Sequence, residues 1–155
     1  MLVKKYKNAT IVIFGFCFLI QFLSCYKNGD SLIDGYYTAE AAIFNGKGWK
    51  DYIAICVSGG KIILVEYDAY NPSGFIRSWD MDYMRMMDES KGTYPNDYAR
   101  YYGSLLIENQ GVDGIDALSG ASLSFRSFVL LAEAVLKSAR EGHNRTVLIH
   151  FEDLL

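Results

Sequence analysis

The sequence predicts an α+β fold, a small antiparallel β-sheet packed against two or three helices. Three observations predict it. Two neighbouring runs of β-branched and aromatic residues are split by a Ser-Gly-Gly-Lys turn. Later stretches carry apolar residues at spacings of three and four. The chain's 155 residues, 51% of them hydrophobic and 15% aromatic, suit one domain with a real core and one extra segment.

The extra segment comes first. Lys4, Lys5 and Lys7 precede a nearly unbroken apolar run from Asn8 to Ser24, which ends at Cys25. This is the pattern of an export signal. Two readings compete for it. A retained anchor helix would have to cross about 30 Å of hydrocarbon at about 1.5 Å per residue, and seventeen residues only just reach. A lipoprotein signal would be cleaved after Ser24, leaving Cys25 as an acylated N-terminus, and polar residues follow at once. The usual lipoprotein box has Leu three positions before the cysteine and a small residue at two, where this chain has Phe22 and Leu23. On the second reading residues 1–24 are a signal peptide and 25–33 a lipid-anchored tether. Either way the domain lies outside the cytoplasm, on the membrane and facing the periplasm or the cell surface.

After the tether, Tyr36 to Phe44 alternates as a strand, and Asn45-Gly46-Lys47-Gly48 is a turn. Tyr52 to Val57 and Ile62 to Tyr70 form a hairpin about Ser58-Gly59-Gly60-Lys61, which completes a three-stranded antiparallel meander. Asn71-Pro72-Ser73-Gly74 breaks the pattern, and Met81, Met84 and Met87 fit a short helix following Ser78 or Asp80. Tyr98, Tyr101, Tyr102, Leu105 and Leu106 form the apolar stripe of a second helix, with Glu108 to Ile115 as a loop. A third helix runs from about Ser122 to Arg140, turning Phe125, Phe128, Leu131, Ala132, Val135 and Leu136 inward, with basic residues near its end as the dipole favours. Residues 143–155 are a C-terminal tail in which Thr146 to Phe151 could add an edge strand.

Charge and cysteines exclude some functions. Loss of residues 1–24 removes three lysines and no acids, so the formal charge of −3 becomes about −6. Nucleic acid is not an expected partner. With Cys17 in the signal and Cys25 acylated, Cys56 stands alone in an apolar strand, and no disulfide framework remains. His143 and His150 lack nearby partner ligands, so no metal site is expected. Gly46-x-Gly48 lacks the third glycine and following helix of a dinucleotide fingerprint. Asp80 and Asp82 point to different helix faces and read as solvated groups near a helix start.

The chemistry-bearing segment is Asp116-Ala117-Leu118-Ser119-Gly120-Ala121-Ser122-Leu123-Ser124, three hydroxyls and a glycine in a loop that opens into a strong helix. Free N–H groups at a helix start favour an anion, and Gly120 and Ala121 permit close approach. Serine is equally a preferred N-cap and needs no ligand for that.

The pattern Asp-x-x-(Ser or Thr)-Gly-Ala-(Thr or Ser) before a helix resembles the signature of FMN-binding domains, which include flavin-carrying subunits of respiratory complexes. Asp34-Gly35-Tyr36-Tyr37-Thr38 resembles the start of these domains, and Gly60-Lys61-Ile62 with Val65 resembles their hairpin. Gly48-Trp49-Lys50-Asp51-Tyr52, Ser78-Trp79-Asp80-Met81-Asp82-Tyr83 and the stretch from Ser127-Phe128 to Ser138-Ala139-Arg140 are similar to the small major-membrane-immunogen lipoproteins of treponemes.

The resemblance implies an FMN-binding-domain-like fold over residues 34–142, with FMN joined through its phosphate to the hydroxyl ending the motif, here Ser122. Most flavinylated members have Thr there. Asp116, Ser119, Gly120 and Ala121 carry over as motif residues, Asp116 and Gly120 as ones a flavin transferase needs, and Ser124 is the second candidate acceptor. The implied function is electron transfer near the membrane between redox partner proteins, without a substrate of its own. The alternative is a non-catalytic surface lipoprotein with a structural or partner-binding role. A free-FMN scavenger would bind reversibly.

Overall fold

A computed structural model describes residues 31–151. The readings of 1–24 as a signal peptide and of Cys25 as the acylated residue fall outside them.

Strands β1 (Gly35–Ala41), β2 (Lys50–Ser58) and β3 (Lys61–Tyr70) form the expected antiparallel meander. Gly59 and Gly60 both take positive φ, +61° and +72°, the backbone a two-residue hairpin turn requires. Asp34 fastens that turn, its carboxylate accepting from Gly59 N at 3.0 Å and Gly60 N at 2.8 Å. β1 stops at Ala41, short of the expected Phe44. Beyond it the Asn45 carboxamide takes the N–H groups of Lys47 and Trp49, which closes a loop in place of a ladder.

A 3₁₀ turn at Arg77–Trp79 leads into α1 (Met81–Lys91), capped by Asp80, whose side chain accepts from Tyr83 N. α2 (Pro95–Asn109) and α3 (Ser122–Glu141) follow. A short strand, β4 (Val147–Ile149), then pairs parallel to β1, giving the order β3-β2-β1-β4. The sheet is therefore mixed and not purely antiparallel. After three antiparallel strands, α3 runs back along β1, so the chain leaving it re-enters the sheet in β1's own direction.

One face of the sheet is covered by α2 and α3. Tyr37, Ala39, Ile53, Ile55, Val57, Ile62 and Tyr67 form one core with Tyr98, Tyr102, Leu106, Phe128, Leu131 and Val135, all buried. The rings of Tyr102 and Phe128 stack at 5.2 Å, and Tyr67 meets Phe128 edge-on at the same separation. Tyr98 and Tyr102 are thus core residues, whereas Tyr101 is 39% exposed. α1 differs from the other two helices, because none of its residues is buried.

The directions of the elements fix where the loops go. Ile33 N donates to Ala139 O at 2.9 Å, so α3 ends where β1 begins. Gln110, just past α2, uses its side-chain amide to accept from Ile62 N and donate to Ile62 O, so α2 ends beside the start of β3. Both helices therefore begin at the opposite end of the sheet, together with the β1–β2 loop and the segment after β3.

Candidate functional site

The loop from Gly111 to Ala121 returns the chain to that far end. Leu118 N donates to the buried Tyr102 hydroxyl at 3.1 Å, and Ala121 N closes a turn onto Leu118 O at 3.0 Å. Ile115 and Ala121 are buried and pin the loop to the core. Gly120 has φ +80°, and a Cβ there would lie 2.5 Å from the Lys91 carbonyl oxygen and 3.2 Å from Thr93 Cγ2. Glycine is required on both counts, since the left-handed backbone and the close approach each exclude a side chain.

Ser122 then opens α3. It is exposed, and no side chain caps the helix. The first intrahelical bond here is Phe125 N to Ala121 O. The N–H groups of Ser122, Leu123 and Ser124 precede it, at the positive end of the helix dipole. Ser124 is half-buried, its carbonyl accepting from the Tyr67 hydroxyl at 2.7 Å. Gly120, Ala121 and Ser122 are therefore brought together as one built corner. Asp116 and Ser119 are exposed, and among the described residues no hydrogen bond ties either side chain to that corner.

A buried polar cluster, which sequence reasoning missed, lies behind the first two turns of α3. Asp51 accepts from Arg77 Nη1 at 2.9 Å through one oxygen and from the Ser127 hydroxyl at 2.6 Å through the other. Arg77 is 5% exposed and rests over the Tyr98 ring at 5.9 Å. Its Nε and Nη2 are buried without a partner among the described residues. Burial works against its charge, but neighbouring Asp51 more than compensates and raises its pKa. Burial also drives the Tyr67 and Tyr98 hydroxyls above their ordinary range, so both remain protonated. Asp68 is likewise raised by burial, against hydrogen bonds from Ser78. Asp51 and Ser127 lie 76 positions apart, and nothing in their local sequence marks them as partners.

This corner can hold an anion. Three backbone donors and a reachable hydroxyl suit a phosphate. The open face of the sheet offers less. There Tyr70 donates to Glu40, Lys50 bridges to Glu40 and Tyr52 donates to Glu66, so its polar groups already satisfy one another.

The sequence is 33% identical over 135 residues to the 15 kDa lipoprotein of Treponema pallidum, an alignment spanning 87% of this chain and 94% of that protein. The chain belongs to the family of that treponemal 15 kDa lipoprotein. The crystal structure of the CPE2226 protein from Clostridium perfringens superposes with a TM-score of 0.75 at 38% identity, over 78% of this chain and 99% of that one. No protein-family model matches the sequence. Membership thus gives a lipoprotein relative and a fold shared with a clostridial protein. Among the described residues no helix is long and apolar enough to cross a membrane.

Proposed function

We propose that this chain is a membrane-anchored extracytoplasmic flavoprotein, held by acylated Cys25, with FMN joined through its phosphate to Ser122 and serving electron transfer. The observation that carries this reading is the corner at Ser122, an exposed hydroxyl on the first residue of an uncapped helix behind a glycine that no other residue could replace. When bound, the flavin would supply the redox chemistry. The chain's own part is to hold and orient. The N–H groups of Ser122, Leu123 and Ser124 would receive the phosphate, while Tyr102 and Tyr67 fix the loop and first turn around it.

The lipid anchor is supported by the export-type N-terminus and by the lipoprotein relative. Attachment would need a flavin transferase, for which exposed Asp116 and Ser119 are accessible contacts. Electrons would then come from and go to redox partner proteins, with no substrate bound by this chain.

One observation favours the second reading, a non-catalytic surface lipoprotein. Gly120 and Ala121 are both accounted for by packing, against Lys91 and the core, without any ligand. The test is to export residues 26–155 together with a flavin transferase, denature the protein, and look for flavin fluorescence and an FMN-sized mass increment. Wild type is expected to retain flavin and Ser122→Ala to lose it. Flavin retained in both moves the acceptor to Ser124. Loss on denaturation makes the protein a reversible binder, and a colourless protein throughout leaves the surface-lipoprotein reading.

A further inference from the structure

We propose that the open face of the sheet carries a binding site for a neutral hexopyranose ring. The site is a cavity of about 260 Å³ whose lining includes Thr38, Glu40, Tyr52, Tyr70, Ile76 and Thr146. It lies on the side of the sheet turned away from α2 and α3, and it is independent of the flavin reading above.

Strand register builds the cavity. Thr38 and Glu40 alternate with the core residues Tyr37 and Ala39, so both point to the open face; Tyr52 lies directly opposite Glu40, and Tyr70 opposite Lys50. Lys50 and the Tyr70 hydroxyl each donate to one Glu40 oxygen, at 2.7 and 2.8 Å. Thr38 and Thr146 share a hydroxyl–hydroxyl bond of 2.8 Å. The Tyr52 and Tyr70 rings stand 5.9 Å apart and tilted by 51°, which makes a bent apolar floor and not a parallel slot. The segment after β3 contributes Ile76, and Asn71 closes that segment on itself: its Oδ1 accepts from Ser73 N and Phe75 N, and its own N–H donates to Phe75 O. The lining is thus ordered before any ligand arrives, which lowers the cost of binding.

The donors and acceptors select the ligand. Glu40 and Lys50, their side chains only 23% and 13% exposed, balance one another's charge, so the cavity favours neither an anion nor a cation. Burial opposes the Glu40 charge, but the bonds from Lys50 and Tyr70 outweigh it and hold the carboxyl below its ordinary value, which keeps it an acceptor. Each Glu40 oxygen retains a free lone pair, the Tyr70 oxygen can still accept, and the threonine pair offers one free O–H with further acceptor sites. The ligand that fits is therefore neutral, rich in hydroxyl donors and apolar on one side. A phosphate or carboxylate brings only acceptors, and a bare aromatic ring brings no donor for Glu40. A hexopyranose brings both an edge of hydroxyls and a face of C–H groups to lie on Tyr52 and Tyr70. The volume falls below the roughly 300 Å³ at which drug-sized pockets begin, so it admits a single ring.

The experiment uses the full chain in phosphocholine-detergent micelles with the methyl glycosides of glucose, galactose and mannose, read by saturation-transfer NMR with the protein's aromatic protons irradiated. One ring of about a dozen non-hydrogen atoms at ordinary ligand efficiency is held with a Kd on the order of 1 mM. Transfer to the ring C–H protons of at least one glycoside is expected. Its Kd should rise about threefold to tenfold, the scale of one lost hydrogen bond, in Glu40→Gln and in Thr146→Val. Thr146 is exposed, so its exchange leaves the core intact and decides the matter if the Glu40 variant fails to fold. Absence of transfer to all three glycosides overturns the proposal. Transfer that neither folded variant weakens places the sugar elsewhere and overturns the site. Nicotinamide, a flat aromatic probe, run beside them and bound more tightly than every glycoside, overturns the ligand class.

Discussion

The two ends of this domain are built to different standards of closure. At the entry end, polar groups find protein partners: Asp34 accepts from both turn glycines, and Gln110 supplies a donor and an acceptor to Ile62. Gln110 even adopts φ 57°, a left-handed conformation unfavourable for a side chain, to do so. At the Ser122 end, among the described residues, a helix starts without a side-chain cap, a buried arginine keeps two donors unpartnered, and α1 lies on the surface without burying a residue. Buried polar groups in folded proteins are normally satisfied, so a cluster of exceptions at one end marks a place kept for something besides stability. The entry end is closed by its own hydrogen bonds, whereas the Ser122 end leaves donors open among the described residues.

The comparison breaks most sharply at Asp51. Replacing it with Ala leaves Arg77 buried without its counter-charge, and loss of one partner of a buried pair costs about 3–5 kcal/mol. A correspondingly lower midpoint in urea is expected for Asp51→Ala. Adding Arg77→Met should restore part of that loss, since removing both charges abolishes the uncompensated one. If the double variant is no more stable than the single, the cluster contributes through shape and not through charge.

Gly120→Ala is expected to come next. A methyl group 2.5 Å from the Lys91 carbonyl must displace the end of α1 or the loop, at about 1–3 kcal/mol for overpacking, with about 1–2 kcal/mol more for the left-handed backbone. The same variant sharpens the functional reading, because a shifted loop moves Ser122 with it. Thermal melting measures the stability loss, and flavin incorporation measured beside it should fall further than stability alone explains. Incorporation that tracks stability in proportion would assign Gly120 to packing only.

The fold was legible where a signal is local. Alternation in Tyr52 to Val57 and Ile62 to Tyr70, two turn glycines, and the helical stripe ending at Leu136 each announce their element within a dozen residues. The parallel pairing of β4 was not legible, because three residues with weak alternation do not say which edge they join or in which direction. At the candidate site the corner itself could be read, since helix starts and small residues have local signatures. The charged cluster behind it could not. Asp51, Arg77 and Ser127 come from a strand, a 3₁₀ turn and a helix, and only the tertiary fold makes them neighbours. Asp34 shows a further limit. It was singled out as part of a family landmark separate from Gly60, whereas the structure joins the two landmarks in one turn.

That junction gives the smallest effect and the clearest sign. Hydrogen bonds from Gly60 N and then Gly59 N hold the Asp34 carboxyl below its ordinary value of 3.8. A group depressed in the folded state stabilises the fold above its unfolded pKa, and that contribution is lost as pH falls through the lower folded value. Between those two values the unfolded chain binds the extra proton, so stability there rises with pH. Asp34→Asn keeps an acceptor near the turn but removes the titrating charge, and should flatten the acid limb of the stability curve below about pH 4 while changing little at neutral pH, where the full exposure of this side chain screens its interactions. Urea midpoints for both proteins from pH 2 to 7 would show it. An unchanged acid limb in the variant would mean that the turn is set by its two glycines alone.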